Sequence, residues 1–259
     1  MEETYSYNDI KNLKKNYSDG SKVFLIEGEN VIDEIPTEFI VEFFVSKTYA
    51  EKNKTRTNKP ITILKDSLFA SVSSNKTPQG RIAVCRKPVL DIHRHSVGSP
   101  LAVRAELIFI LCGIADPGNL GAVIRAADAC LSAAVLTTKG TVGIYNPKTV
   151  QAARGALFRV AISENIDHSD IEAFKGIYKL YAATPRMGTD IYKANLKDKC
   201  AVLIGNEARG LSASEIALAD RQIRIPMSGG AESLNVAQVC AVIAYEKNRQ
   251  NCIDSHLTS

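Results

Sequence analysis

The sequence predicts two α/β domains divided near residue 100, a small one at residues 1–100 and a larger one at residues 101–259. Three observations carry this. Short β-rich runs alternate with polar segments through the first hundred residues. The polar stretch 91–100 (DIHRHSVGSP), closed by Gly-Ser-Pro, reads as a linker. From Glu106 onward apolar strands alternate with helical patterns, which implies a mainly parallel sheet with helices on both faces.

In the first domain, residues 22–27 (KVFLIE), 39–46 (FIVEFFVS), 61–64 and 81–85 (RIAVC) are strands by their β-branched and aromatic content. Residues 9–17 and 67–73 carry helical spacing. In the second domain, strand 107–112 leads to a helix over 120–131, with Asn119 as its expected N-cap and Leu120, Val123, Ile124, Ala127 and Leu131 on one apolar face. Strand 133–137, a polar stretch and a further helix follow. Strands 178–183, 201–204 and 222–225 then precede a last helix over 235–248. Its first part, VAQVCAVIAY (236–245), is apolar nearly all round, so it is expected to be buried on every side, in the core or against another subunit.

Composition narrows the function classes. Hydrophobic residues make up 45% and charged residues 23% of the 259, enough apolar material for a sizeable core. The longest apolar runs, 107–112 and 239–245, are far short of the roughly 18 residues that span a bilayer. Glu2 and Glu3 open the chain without a basic-then-apolar leader, so a cytoplasmic protein is expected. The six cysteines include no C-x-x-C pair, and His93, His95, His168 and His256 fall in polar segments without ligand spacing, so no metal is expected. The net charge of +4 is unevenly spread: residues 1–46 hold four basic and ten acidic side chains, residues 47–87 ten basic and two acidic. That basic stretch is either a solvated face or a footprint for a polyanion, of which nucleic acid is the commonest.

Neither the G-x-G-x-x-G nor the G-x-x-x-x-G-K-[ST] nucleotide fingerprint is present, which disfavours a nicotinamide-dependent oxidoreductase. Three other segments follow apolar strands, where open α/β sheets bind ligands. They are D-P-G-N-L-G-A-V-I-R (116–125), G-N-E-A-R-G (205–210) and I-P-M…S-L-N-V (225–236). Gly205 permits a tight turn and close backbone approach. Arg125 lies off the apolar stripe, either as a solvated helix charge or as an anion contact.

In this order the three segments resemble the motifs of SpoU-type RNA 2′-O-methyltransferases of the SPOUT superfamily, over residues 106 to about 247. The first domain is similar to that family's substrate-binding module through I-E-G-E-N-V-I (26–32), F-V-S-K-T (44–48) and S-S-N-K-T-P-Q-G (73–80). One departure is Ala237-Gln238, which puts a polar Gln238 where small or apolar residues are more usual.

The resemblance implies a C-terminal deep trefoil knot that binds S-adenosyl-L-methionine. It places the cofactor's adenine and ribose against backbone at Gly205, Ile225 and Leu234, with Thr184 and Met227 nearby. It makes Arg125 the activating group. Guanidinium groups stay charged in proteins, so gripping a phosphate and stabilising developing negative charge suits Arg125 better than proton abstraction. Asn119, Glu207, Ser233 and Asn235 are implied to orient Arg125 and the ribose, and Asn146, Lys148, Arg154 and Arg159 to contact RNA phosphates. The resemblance also implies a homodimer paired through the last helix. An appended N-terminal RNA-binding domain points to ribosomal RNA; transfer RNA and a non-catalytic RNA-binding role are the alternatives.

Overall fold

The computed structural model of the chain describes residues 4–16, 21–53, 57–88, 105–130 and 133–255. By contacts the chain divides into two compact units, Met1–Val89 with Gly143–Phe158, and Leu90–Val142 with Arg159–Ser259. The expected linker, 91–100, lies outside the described residues. Segment Gly143–Phe158, which the sequence pattern assigns to the second domain, packs with the first.

Unit one has a four-stranded mixed sheet in the order β1-β4-β2-β3, built from β1 (Val23–Glu27), β2 (Ile40–Ser46), β3 (Ile61–Leu64) and β4 (Arg81–Arg86). β4 runs antiparallel to both β1 and β2, while β3 pairs parallel to β2. Helices α1 (Tyr7–Lys15), α2 (Glu29–Ile32), α3 (Lys47–Lys52) and α4 (Asp66–Val72) fill the connections. Ile10, Phe44, Phe69, Ile82 and Val84 form its core, each essentially fully buried. Segment Gly143–Phe158 joins through aromatic contacts: Phe24 meets Tyr145 at 4.9 Å between ring centroids, and Phe39 meets Phe158 at 4.9 Å.

Unit two is a seven-stranded sheet, parallel throughout its described pairings, in the order β7-β6-β5-β10-β8-β11-β9. Its strands are β5 (Leu107–Cys112), β6 (Ala133–Thr138), β7 (Ala161–Ile166), β8 (Lys179–Ala183), β9 (Thr189–Asp190), β10 (Cys200–Gly205) and β11 (Arg221–Arg224). β5 and β10 are central and almost wholly buried, as their unbroken apolar runs require. Helix α5 is Pro117–Asp128; α6 (Pro147–Ala153) belongs to unit one; α7 (His168–Glu172), α8 (Ala213–Leu218) and α9 (Val236–Ser255) complete the set. None of the described helices is long and apolar enough to cross a membrane.

One local expectation needs correction. Asn119 is not the N-cap of α5. Asp116 is, its carboxylate accepting the Asn119 backbone N–H at 2.8 Å, because Pro117 occupies the first helical position, where its missing N–H is no loss. Within one chain α9 is buried on part of its surface, as the second of its two expected settings, burial against another subunit, would require: Val236, Cys240, Ile243 and Ala244 are buried, while Gln238 is exposed and Tyr245 is 63% exposed. The helix packs against α5 and runs on through buried polar residues. Lys247, 3% exposed, donates its ammonium to the carbonyls of Leu196, Lys197 and Asp198 at 2.8, 3.2 and 2.8 Å.

Five of the six cysteines are buried. Burial raises the Cys85, Cys112 and Cys240 thiols far above their ordinary range and Cys200 to about 11, so they pack as protonated small hydrophobes.

Candidate functional site

The carboxyl ends of β8, β10 and β11 open into one cleft of about 700 Å³, a volume suited to a nucleoside-sized ligand. Thr184 follows β8, Gly205 ends β10, and Ile225 and Met227 follow β11; Leu234 lies just before α9. All five line the cleft, as do Glu207, Ser233 and Asn235. Eight of the residues singled out from sequence therefore share one wall-to-wall site.

Close backbone packing shapes that site. A β-carbon at Gly205 would lie 2.2 Å from the Gly210 carbonyl carbon, so only glycine lets the chain double back there. Asn206 closes the turn from within: its Oδ1 accepts the backbone N–H of Ala208 and Arg209, at 2.9 and 3.3 Å, and its Nδ2 donates to the Gly113 carbonyl at 2.7 Å. Gly113 adopts φ 69° as β5 ends, and a β-carbon there would meet the Arg209 guanidinium at 2.8 Å. On the opposite wall, Thr184 donates its backbone N–H to the Ile223 carbonyl at 2.9 Å and its hydroxyl to the Met187 carbonyl at 2.6 Å.

At the rim, one amide links the three segments. Asn119 donates its Nδ2 to Glu207 Oε1 at 3.0 Å and accepts from Asn235 Nδ2 at 2.8 Å. Asp116 makes this arrangement possible: by capping α5 itself, it leaves the Asn119 side chain free to reach outward. Arg125 stands apart from this trio. It is exposed on α5 six residues beyond Asn119, about 9 Å along the axis, and does not line the cleft. Among the described residues no hydrogen bond or ion pair engages its side chain.

Of the four residues expected to meet RNA phosphates, Asn146, Lys148 and Arg154 lie in or beside α6 in unit one and Arg159 belongs to unit two. Asn146 caps α6, accepting the Lys148 backbone N–H at 2.9 Å, and Lys148 is exposed. Arg154 pairs with Glu34 at 3.4 Å, and Arg159 makes a bidentate pair with Asp128, its closest contact at 2.6 Å. In the basic stretch, Lys47, Lys52, Lys65, Lys76 and Arg86 are exposed. Arg81 instead stacks over Phe43 at 4.6 Å, and Lys87 over Tyr145 at 4.3 Å.

A model of the SpoU rRNA methylase family matches residues 106–245, the segment that builds the cleft. The chain belongs to the SpoU rRNA methylase family. The other comparisons agree. Over 229 residues this SpoU methylase is 29% identical to the 23S rRNA (guanosine(2553)-2′-O)-methyltransferase RlmP of Bacillus subtilis, covering 87% of this chain and 88% of that protein. A solved RNA 2′-O-ribose methyltransferase superposes with a TM-score of 0.75 at 29% identity, over 95% of this chain and 96% of that one. An AdoMet-bound rRNA methyltransferase from Sinorhizobium meliloti does so with a TM-score of 0.74 at 25% identity, over 94% of each chain. The SPOUT fold expected from the motifs, with the trefoil knot that characterises it, goes with this membership.

Sequence reasoning missed Asn206 and Gly113. Asn206 was within reach, since an Asn directly after a strand and a glycine is a common turn former. Gly113 carried no signal by itself, because its role depends on Arg209, 96 positions away in the chain.

Proposed function

We propose that this SpoU methylase transfers a methyl group from S-adenosyl-L-methionine to a ribose 2′-hydroxyl in RNA, with ribosomal RNA as substrate. The observation that carries the proposal is the convergence of Thr184, Gly205, Ile225, Met227, Leu234, Glu207, Ser233 and Asn235 on one cleft. The cleft's composition fits the cofactor. Ile204, Met227, Leu234 and Val239 offer apolar surface to a nucleobase, Gly205 and Ile225 would offer main-chain hydrogen bonds, and the Glu207 carboxylate suits a cationic sulfonium, while Glu232 is paired with Arg186 at 3.4 Å. When bound, S-adenosylmethionine supplies the methyl group on that sulfonium.

The chain's own groups then have to align the ribose and manage its charge. Alignment supplies much of the rate in an in-line displacement. The Asn119–Glu207–Asn235 set would hold the ribose at the rim, with Ser233 beside it. The exposed Arg125 would grip the target phosphate and stabilise the negative charge that grows as the hydroxyl loses its proton. Lys148 and the exposed lysines of the basic stretch would extend the phosphate footprint. Arg154 and Arg159 would have to exchange Glu34 and Asp128 for phosphate to join it. Ribosomal RNA is favoured over transfer RNA because the Bacillus relative, similar along nearly its whole length, is named for it. The partly exposed face of α9, with Tyr245 at its centre, is the surface through which we infer a homodimer. A cytoplasmic location is inferred from the likeness to the bacterial rRNA methyltransferases.

Titration calorimetry on the full chain tests the cofactor half of the proposal. Saturable heat with S-adenosylhomocysteine and none with NAD is expected; the reverse would reassign the cleft to a dinucleotide.

A further inference from the structure

Asn235 opens α9 with its own side chain, its Oδ1 accepting the Ala237 backbone N–H at 2.9 Å. Gln238, three residues on, reaches back, and its Oε1 accepts the Asn235 backbone N–H at 3.1 Å. The two contacts make half of a capping box, the Gln238 return to the cap N–H, while the cap's own oxygen accepts from the second helical N–H rather than the third. With Oδ1 engaged in the cap, Asn235 presents Nδ2 to Asn119 Oδ1, at 2.8 Å. Asn119 in turn presents Nδ2 to Glu207 Oε1, at 3.0 Å, and Glu207 Oε2 has no protein partner among the described residues. The Asn235 amide is thus oriented by the Ala237 N–H and the Asn119 amide by Asn235, on a main-chain turn that Gln238 closes. Its side chain is exposed on an otherwise apolar stretch, so packing does not account for it.

We propose that Gln238 is a positioning residue for methyl transfer. By holding the Asn235 backbone N–H it fixes the main-chain turn on which the Ala237 N–H orients the Asn235 amide, and so, through Asn119, keeps one Glu207 oxygen directed to the protein and the other available at the cleft. The inference rests on the methyl-transfer reading of the site. Polar Gln238 then has a task at the start of α9 that an apolar residue cannot perform.

The test compares Gln238→Leu, which removes the acceptor at similar size and helix propensity, with Gln238→Glu, which keeps an acceptor at the same reach. Single-turnover methylation of an unmodified large-subunit ribosomal RNA transcript is read beside S-adenosylhomocysteine affinity by calorimetry. One hydrogen bond's net worth predicts that Gln238→Leu slows the methylation step about 3- to 10-fold. Cofactor affinity and the RNA concentration for half-saturation should stay within about twofold, a small part of one hydrogen bond's worth, and Gln238→Glu should restore most of the rate. A wild-type rate in Gln238→Leu, an equal loss in both variants, or a loss matched by weaker cofactor binding would overturn the inference. A wild-type chain that binds no S-adenosylhomocysteine and methylates no RNA would overturn the methyl-transfer reading along with it.

Discussion

Asn119 donates to Glu207 and accepts from Asn235, so a single amide ties together residues from three distant segments. Replacing it distinguishes a spacer from an organiser. Asn119→Ala removes both bonds and should slow single-turnover methylation about tenfold. Asn119→Asp cannot donate, and it sets a second carboxylate beside Glu207; it should be slower than Asn119→Ala, and equal rates would mean that the amide's direction is unimportant. Arg125 is a separate case, exposed and unengaged by the described residues. As a charge stabiliser it predicts a loss of about 100-fold in Arg125→Ala, with measurable activity in Arg125→Lys, which keeps the cation but not the planar fork. S-adenosylhomocysteine affinity should hardly move in either, since Arg125 does not line the cleft. At this scale the motif residues were legible because their polar side chains directly follow apolar strands. The Asn119 cap was misread because Asp116 and Asn119 are both good caps, and only Pro117 decides between them.

Among the elements, α9 has two ends with different tasks. Its first turn carries Asn235 and Gln238 at the cleft, while Lys247 and Gln250 fasten its later turns to the segment before β10. Lys247→Met keeps the length but leaves three carbonyls without their shared donor. The cost is expected to be about 2–4 kcal/mol in equilibrium denaturation, the penalty for stranding buried acceptors. A change below about 0.5 kcal/mol, the size of an ordinary surface substitution, would show that water replaces the ammonium freely. The apolar strands β5 and β10 were plain from sequence. Strand β7 was not: Ser163, Glu164 and Asn165 interrupt its apolar pattern, and Asn165 takes φ 62°, a bulge-like irregularity where the pairing with β6 shifts. Lys247 was equally hidden, because its acceptors are backbone carbonyls, which no side-chain pattern reports.

For the molecule as a whole, the sequence pattern and the contacts divide the chain differently at Gly143–Phe158. Tyr145 and Phe158 carry no sequence signal that assigns them to the first unit, because their packing on Phe24 and Phe39 depends on contacts more than a hundred residues apart in the chain. The proposed homodimer would use another apolar surface, the α9 face bearing Val242 and Tyr245. Burying such side chains between subunits stabilises by roughly 1.5–3 kcal/mol each. Light scattering should therefore give twice the mass of one chain at micromolar concentration, and Val242→Arg should give one. A wild-type chain that scatters as a monomer would contradict the dimer.

The central claim is methylation of a ribose in ribosomal RNA, and site mapping tests it most directly. Total RNA from cells with and without the protein is partially hydrolysed by alkali, to which 2′-O-methylated positions are resistant, and sequenced. A single protected position in large-subunit ribosomal RNA, lost without the protein and restored by the wild-type chain but not by Arg125→Ala, is the predicted result. Identical protection patterns in ribosomal and transfer RNA with and without the protein would contradict it.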